Sequence, residues 1–170
     1  MTDTSGAIIK AAVITLSDRG ARGERKDESG GVIVDFITNL GGTVVSYEII
    51  PDEADILKLR LTELADGGTA NLILTTGGTG LTRRDITPEA TLAVADRVVP
   101  GFAEAMRQKS LDKTPHAMLS RAVSVMRKAT LIINLPGSPR AVTECLDVIG
   151  PALAHAVAKA CGDESDCAGG

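Results

Sequence analysis

Asn71-Leu72-Ile73-Leu74-Thr75-Thr76-Gly77-Gly78-Thr79-Gly80 decides how the rest of the chain is read. The apolar, β-branched-rich run before the glycines has the bias of a buried strand, and the glycines end it abruptly. Glycine there lets the main chain enter positive φ and clears side chains from the amides, so the strand feeds a backbone cradle. Thr87-Pro88-Glu89 follows with a capping hydroxyl, a proline for the first turn and an acid beside the positive end, which predicts a helix start. Between cradle and helix stand Arg83, Arg84 and Asp85, a mixture suited to a phosphorylated ligand and a metal ion. Taken alone, the glycines also fit a plain turn. They do not form a P-loop, because no Lys-Ser or Lys-Thr pair follows, nor a dinucleotide fingerprint, whose third glycine would fall at Arg83.

Upstream, residues 8–16 are an apolar run ending in Ser17-Asp18-Arg19, which predicts a buried strand, and a charged loop continues to Asp27. Val32, Ile33, Phe36, Ile37 and Leu40 repeat at helical spacing, stopped by Gly41-Gly42. A second strand spans 43–50, and a second helix spans 53–66 with Asp52 placed to cap it. Downstream of the cradle, helices are expected over 88–96 and 101–110, then an irregular stretch to Arg121. A weak alternation at 123–126 suggests an extra edge strand. The next strong strand is 130–135, ending in Pro136-Gly137-Ser138-Pro139, where Ser138 and Pro139 open a last helix expected to break at Gly150-Pro151.

Strands that read as continuous apolar runs, alternating with helices, predict a three-layer α/β fold: a mostly parallel sheet with helices on both faces. One domain over 8–162 is expected, with flexible segments at 1–7 and 163–170. In such sheets the loops leaving the carboxyl ends of the strands share one edge. That edge would gather Ser17-Asp18-Arg19, Asp52, the 77–85 segment and Pro136-Gly137-Ser138 into one cleft.

Composition narrows the function classes. At 170 residues, with 44% hydrophobic and 24% charged side chains, the chain has the make-up of one globular domain. A net charge of −4 and 2% aromatics argue against nucleic-acid binding, which needs a basic face or stacking platforms. The N-terminal residues lack a basic and apolar leader and no apolar run of about 18 residues stands out, so no membrane association and a cytoplasmic setting are expected. Cys145, Cys161 and Cys167 show no Cys-x-x-Cys spacing and read as free thiols, and two histidines are too few for a metal cage.

Several segments form an ordered set: Ser17-Asp18-Arg19 with Gly23, Asp27 and Gly30; Ile50-Pro51-Asp52-Glu53; residues 74–80 with 83–91; Val99-Pro100-Gly101-Phe102; Leu119-Ser120-Arg121; and Asn134-Leu135-Pro136-Gly137. Together they resemble the molybdopterin adenylyltransferases of molybdenum-cofactor biosynthesis. The resemblance implies a homotrimer that transfers AMP from ATP to the terminal phosphate of molybdopterin, releasing pyrophosphate and requiring Mg²⁺. It implies Asp52 and Asp85 as catalytic and metal-holding aspartates, and Thr76, Gly77, Gly78, Thr79, Gly80 and Arg84 as the nucleotide-phosphate site. Ser17, Asp18, Arg19, Ser120, Arg121, Pro136, Gly137 and Ser138 match the pterin side. Hand-over of product to a molybdate-inserting enzyme is a further implication.

Charge bookkeeping agrees with that assignment. Joining two phosphates brings an anion onto a polyanion, so bare aspartates would worsen the repulsion unless they hold a hard cation. Asp85 is then expected to bind the metal directly, while Asp52 either completes that site or orients the attacking phosphate. The alternatives are a related trimer that binds molybdopterin without adenylylating it, and an oligomeric scaffold whose helical faces meet protein partners.

Overall fold

The computed structural model describes residues 8–163. The expected flexible segment 1–7, the tail beyond Asp163 and Cys167 lie outside the described residues.

The chain runs β1 (Lys10–Leu16), α1 (Asp18–Ala21), α2 (Glu28–Asn39), β2 (Thr43–Ile50), α3 (Ala54–Asp66), β3 (Leu72–Thr76), α4 (Thr87–Ala93), β4 (Arg97–Val98), α5 (Pro100–Leu111), a 3-10 turn (Pro115–Leu119), β5 (Ser124–Arg127), β6 (Thr130–Leu135) and α6 (Pro139–Ala160). The six strands lie in the order β2-β1-β3-β6-β5-β4. The β2-β1, β1-β3 and β3-β6 pairs are parallel, while β5 runs antiparallel to β6 and to β4.

Period-two alternation sorts the central strands onto two cores. Ala11 and Val13 of β1, Leu72 and Leu74 of β3, and Leu131, Ile133 and Leu135 of β6 face the layer made by α2, α5 and α6. Ala12, Ile14, Leu16, Ile73 and Ile132 face the opposite layer, made by α3 and α4. Burial on both faces is why these strands carry runs of consecutive apolar residues rather than a strict apolar and polar alternation. The expected three-layer architecture is therefore present.

Four local expectations need correction. The loop after β1 contains a single helical turn, α1, capped by Ser17, whose Oγ accepts the Gly20 N–H at 3.0 Å. The strand expected at 123–126 is present as β5 but is not the edge, because the two-residue β4 covers it. The helix expected over 88–96 stops at Ala93. Finally, α6 does not break at Gly150-Pro151. Pro151 and Asp147, whose carbonyl loses its partner, both lie on the exposed side of the helix, while Ile149 and Leu153 hold it in one core. By length and composition α6 is apolar enough to cross a membrane, contrary to the sequence expectation, yet its apolar stripe packs within the core. Gly150 lets it approach α2 closely: a Cβ there would meet Phe36 Cζ at 2.7 Å.

Candidate active site

Strand order reverses at β1, which has β2 on one side and β3 on the other. The loops leaving these strands therefore open around a crevice at their carboxyl ends. Asp18 follows β1, Asp52 follows β2 and the glycine cradle follows β3.

The first two loops are tied to each other. The Asp18 N–H donates to Asp52 Oδ2 at 3.0 Å, and the Asp52 N–H donates to Asp18 Oδ1 at 3.1 Å. Asp52 is thus not the cap of α3. Glu53 occupies the N-cap position and makes no side-chain capping bond, while the Asp52 carboxylate turns across to the neighbouring strand's loop. Burial pushes the Asp52 carboxyl above its ordinary pKa. The Asp18 N–H and Arg84 oppose that shift, and the Asp18 and Asp85 charges reinforce it.

The cradle has the backbone its glycines permit. Gly77 and Gly78 have φ of 93° and 65°. A Cβ on Gly77 would meet the Leu16 carbonyl oxygen at 2.5 Å, and one on Gly78 would run into Thr87 Oγ1 and come within 3.4 Å of Asp52 Oδ1. The bare cradle and the Asp52 carboxylate therefore face each other. Thr87 is another corrected cap: Ile86 holds the N-cap position, and the buried Thr87 hydroxyl donates to the Gly77 carbonyl at 2.9 Å. Its N–H donates to the Gly78 carbonyl at 3.1 Å, so the start of α4 clamps the cradle from behind. Thr76 Oγ1 donates to the Pro136 carbonyl at 2.6 Å, which joins the cradle to the loop after β6.

Arg84 grips Asp18 through Nε and Nη2 and reaches Glu53 Oε1 through Nη1 at 2.9 Å. These bonds hold the Asp18 carboxyl below the ordinary carboxylate range. The arginine expected on a phosphate thus spans the loops after β1 and β2, while its neighbour Arg83 is exposed. Asp85 lies at the far end of the loop, its Oδ2 accepting the Thr82 N–H at 2.8 Å. Arg121, matched to the pterin side, donates into this loop instead, to the carbonyls of Gly80 and Asp85 at 2.7 and 2.6 Å.

The remaining expected residues fall around two hollows. Ser17, Thr76, Gly77 and Gly137 line a polar cleft with Arg25, Lys26, Asp27 and Ser29. Ser120 and Pro136 line a separate, more apolar hollow with Met106, Ala117 and Cys145. Arg19 is exposed, and Ser138 is the N-cap residue of α6 without a side-chain capping bond. Asp27 belongs to a family signature but not to the expected site residues. In the structure it caps α2 through the Gly30 N–H and accepts from Thr15 Oγ1 at 2.5 Å and Tyr47 Oη at 2.6 Å. Burial and that bond push the Tyr47 phenol up to about 12. The signal that finds Asp27 is an acid directly before a helix start. Nothing local announces Tyr47, which arrives from β2.

Among the described residues no group of three or more His, Cys, Asp or Glu side chains could hold a metal ion. Asp52 Oδ1 lies 3.4 Å from where a Cβ would sit on Gly78, and Asp85 Oδ2 lies 3.0 Å from one on Gly80, so both carboxylates border the cradle, which suits a cation that takes only one or two carboxylates and completes its shell with water and phosphate oxygens. That is the habit of Mg²⁺.

An open, mostly parallel sheet with a glycine cradle and carboxylates at its reversal point is the architecture in which α/β proteins place ligands at the carboxyl ends of their strands. Residues 12–155 match the family described as the probable molybdopterin binding domain, and the chain belongs to that family. It is 44% identical over 151 residues to the molybdopterin adenylyltransferase of Escherichia coli strain K12, a match covering 88% of this chain and 77% of that protein. It is 42% identical to the molybdopterin adenylyltransferase of Helicobacter pylori strain J99, covering 88% and 86% of the two chains. Among solved structures, the molybdopterin biosynthesis enzyme MoaB of Thermus thermophilus superposes with a TM-score of 0.86 at 46% identity, covering 92% of this chain and 98% of its own.

Proposed function

We propose that this protein is a molybdopterin adenylyltransferase of molybdenum-cofactor biosynthesis, joining AMP from ATP to the terminal phosphate of molybdopterin and releasing pyrophosphate. The observation that carries the reading is the approach of the Asp52 carboxylate to the bare backbone of Gly78. It brings an acid from the loop after β2 against the glycine cradle after β3, in a chain whose curated relatives carry this activity.

In this reading the Thr76–Gly80 backbone receives the ATP phosphates, and the pterin occupies the side lined by Ser17 and Gly137. Asp52 and Asp85 would hold Mg²⁺, which when bound neutralises phosphate charge and polarises the phosphorus under attack. Asp52 orients the incoming phosphate against the cradle. The reciprocal bonds between Asp18 and Asp52 keep that carboxylate in place before substrate arrives, so little reorganisation is left for the reactive complex. A homotrimer, a cytoplasmic setting and delivery of the adenylylated product to a molybdate-inserting enzyme complete the reading.

The test is pyrophosphate release from Mg-ATP, with and without molybdopterin, by the wild type and Asp85→Ala. Release that needs the pterin and falls by several powers of ten in a folded variant supports the assignment. Tight pterin binding without release would instead identify a binding-only relative.

A further inference from the structure

We propose that Arg121 is the positioning residue for Asp85: it anchors the loop carrying that aspartate rather than contacting the pterin. The inference rests on the catalytic reading of Asp85 given above.

Between Gly80 and Ile86 the loop has no apolar anchor. Thr82, Arg83 and Arg84 are exposed, and Leu81 is 65% exposed. What holds it is hydrogen bonding: Arg84 in its middle pairs with Asp18 and Glu53, and Arg121 holds its two ends. The Arg121 N–H donates to the Thr79 carbonyl at 3.0 Å, Nε to the Gly80 carbonyl at 2.7 Å and Nη2 to the Asp85 carbonyl at 2.6 Å, while Nη1 pairs with Glu89. One residue therefore ties the entry of the loop, its exit and the first turn of α4 together.

Fixing the Asp85 peptide also fixes its carboxylate. The Asp85 N–H donates to the Thr82 carbonyl at 3.1 Å and the Thr82 N–H returns a bond to Asp85 Oδ2 at 2.8 Å, closing a small ring. With the Asp85 carbonyl pinned by Nη2, that ring cannot tilt without breaking a charge-assisted bond. A planar guanidinium serves three acceptors in fixed directions, which a lysine ammonium on a flexible stem does not reproduce. Each of the three guanidinium nitrogens already has an acceptor in the loop or in the first turn of α4.

The decisive variant is Arg121→Lys, studied by amide hydrogen exchange on the free protein and by steady-state kinetics. Positioning predicts exchange about tenfold or more faster at Thr82 and Asp85, with Leu74 and Ile133 unchanged, because only the loop is released. It also predicts kcat lower by roughly 10- to 100-fold, the scale of a misplaced catalytic group, with KM for molybdopterin nearly constant. Unchanged loop exchange with a raised KM for molybdopterin would overturn the proposal and restore Arg121 to the pterin. The exchange measurement needs no turnover, so it separates this inference from the assignment of the activity itself. If the variant does not fold, the wild-type Arg121 Nε–H provides the test by NMR. A slowly exchanging proton sustains the anchor, and one exchanging like an exposed arginine removes it.

Discussion

Asp18 and Asp52, 34 residues apart, each accept the other's backbone N–H, at 3.0 and 3.1 Å. The pair locks the loops after two adjacent parallel strands and aims one carboxylate at the glycine cradle. The other is neutralised by Arg84, so similar residues acquire opposite electrostatic characters from their surroundings.

Asp52→Asn is expected to trade activity for stability. Folding raises the Asp52 pKa, chiefly by burial, so its stabilising contribution is complete below the ordinary aspartate value and is lost as pH rises through the folded-state pKa. At pH 7 the ionised carboxylate is a cost that asparagine removes while still accepting the Asp18 N–H. The variant should melt higher than wild type near neutrality, lose that advantage below about pH 4, and turn over roughly 10²–10³-fold more slowly. Differential scanning calorimetry across pH with initial-rate assays checks both halves, and a lower melting temperature at pH 7 would contradict the burial argument.

Arg84→Gln should show the opposite pH signature. Folding lowers the Asp18 pKa through the Arg84 hydrogen bonds, so that contribution is present above the ordinary aspartate value and is lost as pH falls through the folded-state pKa. The melting-temperature gap between wild type and variant should be full at about pH 6 and close toward about pH 3. A gap independent of pH would mean that Arg84 stabilises by packing rather than by charge.

Gly78→Ala places a Cβ at φ 65° and against the Thr87 hydroxyl. The left-handed backbone alone costs an ordinary residue about 1–2 kcal/mol. Chemical denaturation should report at least that loss, and titration calorimetry should show ATP affinity down by about tenfold or more, since the methyl group also fills the cradle. Undiminished ATP binding would remove the cradle from the nucleotide site.

Asn134→Leu tests the support beneath the cradle. The Asn134 side chain is fully buried, donates to Thr75 Oγ1 and Thr91 Oγ1 at 3.0 Å each, and accepts the Val123 N–H at 3.3 Å. Leucine fits the volume but leaves those groups without a partner, at about 1–3 kcal/mol for each one stranded. A destabilisation of about 3 kcal/mol or more in urea is expected, and a neutral result would show that the stranded groups find other partners.

Much of the fold was legible because β1, β3 and β6 are covered on both faces and therefore carry apolar residues on both, a pattern that survives without knowledge of neighbours. β4 was not legible, since two residues carry no period. The positive-φ backbone after β3 was readable from its glycines, but the caps were not. Asp52 and Thr87 occupy positions that suit a cap, and the structure diverts both into contacts with distant backbone. Arg84 and Arg121 show the same limit: their sequence neighbours announce a charged loop, while Asp18, Glu53 and the carbonyls they hold come from other elements. The expected break in α6 failed because burial on both sides of Pro151 outweighs one lost hydrogen bond on the solvent face.

The placement of β1 between β2 and β3 bears on how the chain assembles. The loop with Asp52 and the loop with the cradle become neighbours only after the first strand has threaded between two later ones, a contact of high sequence separation and slow to form. A misregistered or omitted β1 leaves the two half-sites apart, with no surface for a bridging ligand. Substrate that spans both loops binds only the correctly threaded chain and draws the population toward it by mass action. In the proposed reading, a nucleotide that bridges both loops would act as a template for completed assembly as well as a reactant.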